Sequence, residues 1–411
     1  MKLTEVKRQT GGGVIRISST IVSTSGQQME IWAEVPTTLE SSLSTSGNPW
    51  LLVMLPIAAC IGEDIELDLP VDDLLRENLA GVLATWCQWF TDLKPVRITA
   101  PRLTEKPNGN KTASFFSGGV DSYFNIGRRL GLPDMPDVGR TDELLTVWGF
   151  DVGVYDLAGI EPLRTMLTSA AADVGLPHYV VRTNLREHNT AWRRRWGPLT
   201  HACGLAFISL LLEKRYSSAV WGSTNPYGQL FPWGSHPMVD SLFSTSTTTM
   251  VHDGAAFNRV QKTEFVTRLP QGIASLHVCQ AEAKHNCSNC EKCFRTMVTI
   301  DALGRRDIMG AAFDWSEYSL DKVSRILAMT KGVRSEYLEI LAAARELGRD
   351  DVAAAVSASL RLSAALRPVF WVTQALINVP VVWRLANAVE IAIRTRVVAP
   401  KFIKHSTFVR S

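Results

Sequence analysis

With 411 residues, 46% of them apolar and 20% charged, the chain is long enough for two or three domains and too rich in core-forming side chains to be disordered. Its 43 Lys and Arg against 40 Asp and Glu leave +3, which excludes the global basic field of a protein that coats nucleic acid. The start, MKLTEVKRQTGGG, lacks a secretory apolar run, and four of the seven cysteines crowd into one stretch, unlike a disulfide framework, so a cytoplasmic protein is expected.

Residues 11–35 alternate apolar and polar positions around a Ser/Gly turn and predict a β-hairpin. An apolar run follows at 50–61, and 71–90 (VDDLLRENLAGVLATWCQWF) carries early acids and apolar positions at helical spacing. The polar, Pro/Gly-rich stretch 100–111 marks a boundary, so 1–108 is expected to form an N-terminal α+β domain. Strand and helix then alternate: strand 112–116, helix to 130, strand 144–150, helix 162–174, strand 178–182, helix 199–213, strand 218–221. That rhythm predicts an α/β domain over 109–300 with a parallel sheet, whose ligands sit at the carboxyl ends of the strands.

From 301 to 411 the chain is Ala/Leu/Arg-rich and predicted helical, with eight basic residues against one acidic beyond Val352. Its stretch 368–383 is uncharged, but it is interrupted by Pro380 and shorter than the roughly 20 apolar residues a spanning helix needs. Buried helices, and no transmembrane segment, are expected there, with interfacial membrane contact as the lesser alternative.

Ser117-Gly118-Gly119-Val120-Asp121-Ser122 stands between the strand at 112–116 and its helix. Two glycines let the backbone turn tightly with no Cβ in the way of an anion, and the helix start offers unpaired N–H groups and its positive dipole end. Ser117 and Ser122 add hydroxyls. Asp121 would repel a bare phosphate, which points to Mg²⁺ or to a role in holding the loop. The bland alternative is a strand-turn-helix junction with a capping side chain. The full string outweighs it, although no GxxxxGK[ST] occurs.

Cys279, Cys287, Cys290 and Cys293 read C-x7-C-x2-C-x2-C. Four thiolates complete a tetrahedral Zn²⁺ site with no open position, so the metal would be structural. An iron–sulfur cluster is the rival, disfavoured by Phe294 where ferredoxin motifs often carry Pro. The long stretch 221–241 follows the fourth strand, and its Asn225, Tyr227, Trp233, His236 and Asp240 are candidates to stack on and hydrogen-bond a planar substrate. Simple packing of the loop is the alternative. Arg182, with Asn184 and Arg186, leaves the third strand as a candidate for ATP or a substrate carboxylate, with a solvated turn as the alternative, and Asp151, after the second, is a candidate for adenosine or metal. Arg193–Arg195, between Trp192 and Trp196, suit RNA less well than an ordinary helix face, and Cys60, Cys87 and Cys203 read as inert core thiols.

The SGGxDS string resembles the PP-loop of the ATP pyrophosphatase superfamily. With the cysteine array and Lys262-Thr263-Glu264 added, residues 111–300 resemble the 7-cyano-7-deazaguanine synthases. The resemblance implies a Rossmann-like fold of the adenine-nucleotide alpha hydrolase type and ATP-dependent, C–N bond-forming ligase chemistry. Residues 117–122 would grip pyrophosphate, with Ser117, Asp121, Ser122 and Lys262 as the catalytic set. A carboxylate or amide oxygen would attack the α-phosphorus, and ammonia or an amine would then displace AMP. Implied cofactors are ATP, Mg²⁺ and Zn²⁺; implied partners are a small carboxylate substrate and an amine or ammonia donor. A homodimer is compatible with this, and nucleic acid is not favoured. The chain departs from the family in a first cysteine spacer shorter by one, in long flanking regions without counterpart, and in the loop before the cysteines. A tRNA-modifying PP-loop enzyme and a non-catalytic ATP-binding module are the other readings.

Overall fold

The structure, a computed structural model, describes residues 1–131, 138–279 and 281–377. They form two compact units, one of 1–117 with 125–255 and the other of 118–124 with 256 onward.

The first unit is an α/β body on an eleven-stranded sheet: β1 (Lys2–Leu3), β2 (Lys7–Gly11), β3 (Val14–Val22), β4 (Gln28–Pro36), β5 (Ile65–Glu66), β6 (Ile98–Thr99), β7 (Lys111–Phe115), β8 (Glu143–Trp148), β9 (His178–Thr183), β10 (Tyr216–Gly222) and β11 (Thr249–Asp253). Their order is β11-β10-β7-β8-β9-β4-β3-β1-β5-β6, with β2 beside β3. All pairings from β11 to β9 are parallel, and chain order reverses between β7 and β10. The hairpin expected at 11–35 is β3–β4, in a register that sets Ile17 opposite Ala33 and buries Ile15, Ile17 and Ile21. Strand β11 was not foreseen: of TMVHD only Met250 is a buried aliphatic, too little for an alternation signal.

The expected boundary at 108 does not separate two sheets. Strand β4 pairs antiparallel with β9, Ala33 opposite Thr183 and Glu34 opposite Arg182, so the hairpin covers an edge that β9 would otherwise expose. Charge is buried across that junction of segments as well. Glu213, 1% exposed, accepts from Ser44, Ser46 and Asn48, and burial raises its pKa.

The helices of the chain up to residue 255 are α1 (Asn48–Ile61), α2 (Asp73–Trp89), α3 (Val120–Arg129), α4 (Leu157–Asp173), α5 (Ala191–Arg194) and α6 (His201–Leu211). The apolar run at 50–61 is α1, buried on nearly every side and packed on α6, with Trp50 and Phe207 rings 6.0 Å apart. Pro56 inside it has no N–H, which orphans the Leu52 carbonyl one turn back. The Cys203 thiol donates to that carbonyl at 3.2 Å, and Trp192 Nε1 donates to the next, Val53 O, at 3.0 Å. Cys203 is thus a core thiol, its pKa pushed well up by burial.

The second unit continues as α7 (Arg259–Val266), α8 (Pro270–Ser275), α9 (Glu291–Ala302), α10 (Leu320–Ser324), α11 (Lys331–Glu346) and α12 (Asp350–Ile377). Asn258 and Gln261 form a reciprocal capping box at the start of α7. The region from 301 is helical as far as described; residues 378–411 lie outside the described residues. The expectation of buried helices at 368–383 is not met at three of the four side chains described there: Pro368, Val369 and Val372 are exposed, while Phe370 is half-buried. One helical stretch, Asp350–Phe370, is long and apolar enough to cross a membrane by length and composition.

Candidate functional site

The hexapeptide follows β7, and its residues 118–122 belong to the second unit. Gly118 has φ 77°, a left-handed conformation that a side chain would strain, and its carbonyl accepts the His277 N–H at 2.9 Å. Helix α3 starts at Val120, so its first N–H groups have no carbonyl behind them. Ser117 is exposed. Ser122 differs from expectation: it is buried and its Oγ donates to the Gly119 carbonyl at 2.9 Å, so the hydroxyl braces the loop from inside.

Asp121 is where distant parts of the sequence converge. Arg259 Nη1 reaches its Oδ2 at 2.5 Å and Lys262 Nζ its Oδ1 at 3.1 Å. Both cations stand on α7, and Lys262 is 1% exposed, with its ammonium 5.8 Å from the Phe124 ring centre. Burial alone would raise the Asp121 pKa, but Arg259 first and Lys262 second pull it down to about 2. The Arg259 N–H in turn donates to Glu339 of α11 at 2.9 Å. Lys262 was legible in the sequence; Arg259, three positions earlier, was not, because it belongs to no motif.

The four cysteines also meet. Their sulfurs all lie within 4.8 Å of one another, with Cys279 and Cys290 sulfurs 3.9 Å apart. A tetrahedron of thiolates about 2.3 Å from Zn²⁺ has edges of about 3.8 Å, so the set fits such an ion. Cys279 Sγ accepts the N–H groups of Ala281 and Glu282 at 3.3 Å and of Cys287 at 3.5 Å, while Cys290 caps α9 by accepting from Cys293 N. Ser288, between two ligands, is the only non-glycine with positive φ among the described residues, at 53°. Hydrogen bonds from Cys287, Cys290 and Cys293 hold the Cys279 thiol far below its usual pKa, and sharing protons with Cys279 first drives Cys293 upward. Four thiols in this space cannot all ionise without a cation among them. Asn286, unnoticed in the sequence, braces the cluster: its Oδ1 accepts from Val278 and Cys279, and its Nδ2 donates to Leu276 and Ala312 carbonyls.

In the first unit the expected ligand residues are placed differently. Arg182 Nε and Nη2 both donate to Val154 O, at 3.0 and 2.8 Å, and Nη1 reaches Glu34 at 3.3 Å. Its guanidinium lies 4.5 Å from the Trp148 ring, so it is committed to the β8–β9–β4 junction rather than offered to a ligand. Asp151 is exposed just past β8, and its charge acts on Arg186. In the 221–241 loop, Asn225 is buried, Trp233 is half-buried between His201 and Phe231, and Tyr227 is exposed. His236 is buried against Trp89 and its Nδ1 accepts from Met238 N.

Asp240 is fully buried: Trp221 Nε1, Ser235 Oγ and His252 Nδ1 lie 2.6–2.7 Å from its Oδ2, and His236 N donates to Oδ1. His236 and Asp240 are therefore engaged in tying the loop to its neighbours. Ser235 and His252, which complete that network, were missed because they come from a loop and an unforeseen strand. Comparison with protein-family models, curated proteins and solved structures returns no match.

Proposed function

We propose that the chain is an ATP-dependent enzyme of the PP-loop type, resembling the 7-cyano-7-deazaguanine synthases. It adenylates a carboxylate or amide oxygen of a small substrate, releases pyrophosphate, and lets ammonia or an amine displace AMP. The observation that carries this reading is the convergence of Arg259 and Lys262 on Asp121 inside the glycine loop. Two cations, Lys262 buried and Arg259 half-buried, stand beside a helix start, where the positive dipole end also favours an anion. The strand order supports the same reading. Five parallel strands reverse direction of travel between β7 and β10, and the hexapeptide leaves the carboxyl end of β7, where such sheets bind nucleotides.

In this reading the loop N–H groups and the two side-chain cations take up charge on the departing diphosphate, and Asp121 keeps both cations in place beforehand. Preorganised charge of this kind needs no rearrangement as the bond breaks. Both Asp121 oxygens already bear a cation, and the four cysteines are the only metal-fitting group among the described residues, so Mg²⁺ would be held chiefly by the phosphates of ATP. Zn²⁺ at the cysteines would supply a closed structural brace and no chemistry.

The test is pyrophosphate release from MgATP with a panel of small carboxylates, 7-deazaguanine-7-carboxylate included, and ammonium. Lys262→Met keeps the buried volume and removes the charge, and should slow release by about 10²–10³-fold. Failure of the wild-type chain to bind MgATP would remove the reading altogether. Binding without release for any acceptor would reduce it to a nucleotide-binding module.

A further inference from the structure

We propose that Glu339 of α11 is a positioning residue for Arg259, which makes the helical region after residue 301 part of the anion site at the glycine loop. The inference rests on the reading of that loop as the grip for pyrophosphate.

Arg259 is the first residue of α7, and it is held from two directions. Its guanidinium reaches Asp121 Oδ2 at 2.5 Å, and its backbone N–H donates to Glu339 Oε2 at 2.9 Å. A helix start leaves its first N–H groups without carbonyl partners. The side-chain oxygen of Asn258 takes the Gln261 N–H, and the N–H of Arg259 is taken by a carboxylate 80 positions along the chain. A negative charge is favourable there, at the positive end of α7.

Glu336, one turn earlier on α11, faces the same cluster. It pairs with Arg295 of α9, and each is 6% exposed. Burial lowers the Arg259 pKa, and the charges of Asp121 first and Glu336 next more than restore it. Helix α11 packs on α7 and α9, and all of these residues share one compact unit with residues 118–124.

A helix that only covered the core would present apolar side chains at 336 and 339, because burying a carboxylate is unfavourable in a way that burying a leucine is not. Glu339 is nevertheless 7% exposed. What the carboxylate supplies is direction. With the start of α7 fixed, the Arg259 guanidinium stands at Asp121 before any anion arrives. An arginine misplaced by about 1 Å would grip a phosphate far less well.

Calorimetric binding of inorganic pyrophosphate with Mg²⁺ to the full chain tests this with two variants. Glu339→Gln keeps an acceptor oxygen for the Arg259 N–H, whereas Glu339→Leu fills the space and removes the acceptor. The leucine variant should bind about tenfold more weakly than wild type and the glutamine variant within about threefold of it. The melting temperature of the leucine variant should be no lower, since a buried carboxylate is gone. A residue that merely stabilised the packing of α7 on α11 would instead make affinity and melting temperature fall together. Amide hydrogen exchange needs no ligand: in the leucine variant it should quicken at 118–124 as well as at 259–262 and stay unchanged in α9. Equal affinity of the two variants, unchanged exchange at 118–124, or a leucine variant that does not fold would each overturn the proposal. Absence of pyrophosphate binding by the wild type would remove the reading of the loop, and the exchange comparison would still decide whether Glu339 holds Arg259.

Discussion

Asp121 is a single carboxylate between two cations, Lys262 buried and Arg259 half-buried, and that arrangement fixes the sign of several effects. Its ordinary pKa is 3.8 and its folded value about 2, so the ionised form is favoured by folding. The contribution is present in full above about pH 4 and is lost as pH falls through about 2, because the unfolded chain takes up the proton first. Asp121→Asn leaves Arg259 and Lys262 facing a neutral amide. It should cost about 3–5 kcal/mol at neutral pH, read as a lower urea midpoint, and the difference from wild type should shrink as pH drops toward 2. A pH-independent difference would mean that the ion pairs are not what the substitution removes. The sequence made Asp121 legible as a loop residue and Lys262 through its motif. It gave no hint of Arg259, or of the inward turn of Ser122, since both depend on which way a helix faces. His236 and Asp240 are the converse case: polar residues in a long loop look like ligand contacts, and the sequence hides that Trp89, Trp221 and His252 from neighbouring elements already engage them.

At the scale of the element, the cysteine knuckle was fully visible as spacing, and its support was not. Cysteines announce themselves at fixed offsets, whereas Asn286 is one amide among many until its four backbone partners are known. Metal binding of this kind is folding free energy for the segment that carries it. The native protein should therefore contain one zinc per chain by elemental analysis, and a strong chelator should lower the melting temperature of the wild type. Cys290→Ala, which removes both a ligand and the cap of α9, should abolish the zinc and the chelator effect together. Iron with a visible absorption band would instead favour the cluster reading of the same four thiolates.

On the scale of the molecule, the alternation of strand and helix after residue 111 was legible, and the attachment of the first hundred residues was not. A polar, proline-bearing stretch looks like a domain boundary, but strand pairing between β4 and β9 is decided by two edges far apart in sequence and leaves no local mark. The consequence is a test of whether residues 1–108 are dispensable. A chain beginning at 109 would open the β9 edge and strip Asn184 of the Trp32 N–H and Glu30 carbonyl it now bonds. It would also leave the Glu213 carboxylate, 1% exposed, without its three donors, and the faces of α6 without α1. An uncompensated buried charge alone costs about 3–5 kcal/mol, of the order of a small domain's whole stability. The 109–411 chain should therefore be insoluble or lack a cooperative urea transition, and co-expression of 1–108 as a separate fragment should restore solubility. If 109–411 instead unfolds cooperatively on its own and still releases pyrophosphate, the hairpin and α1 are an added cover rather than part of the fold.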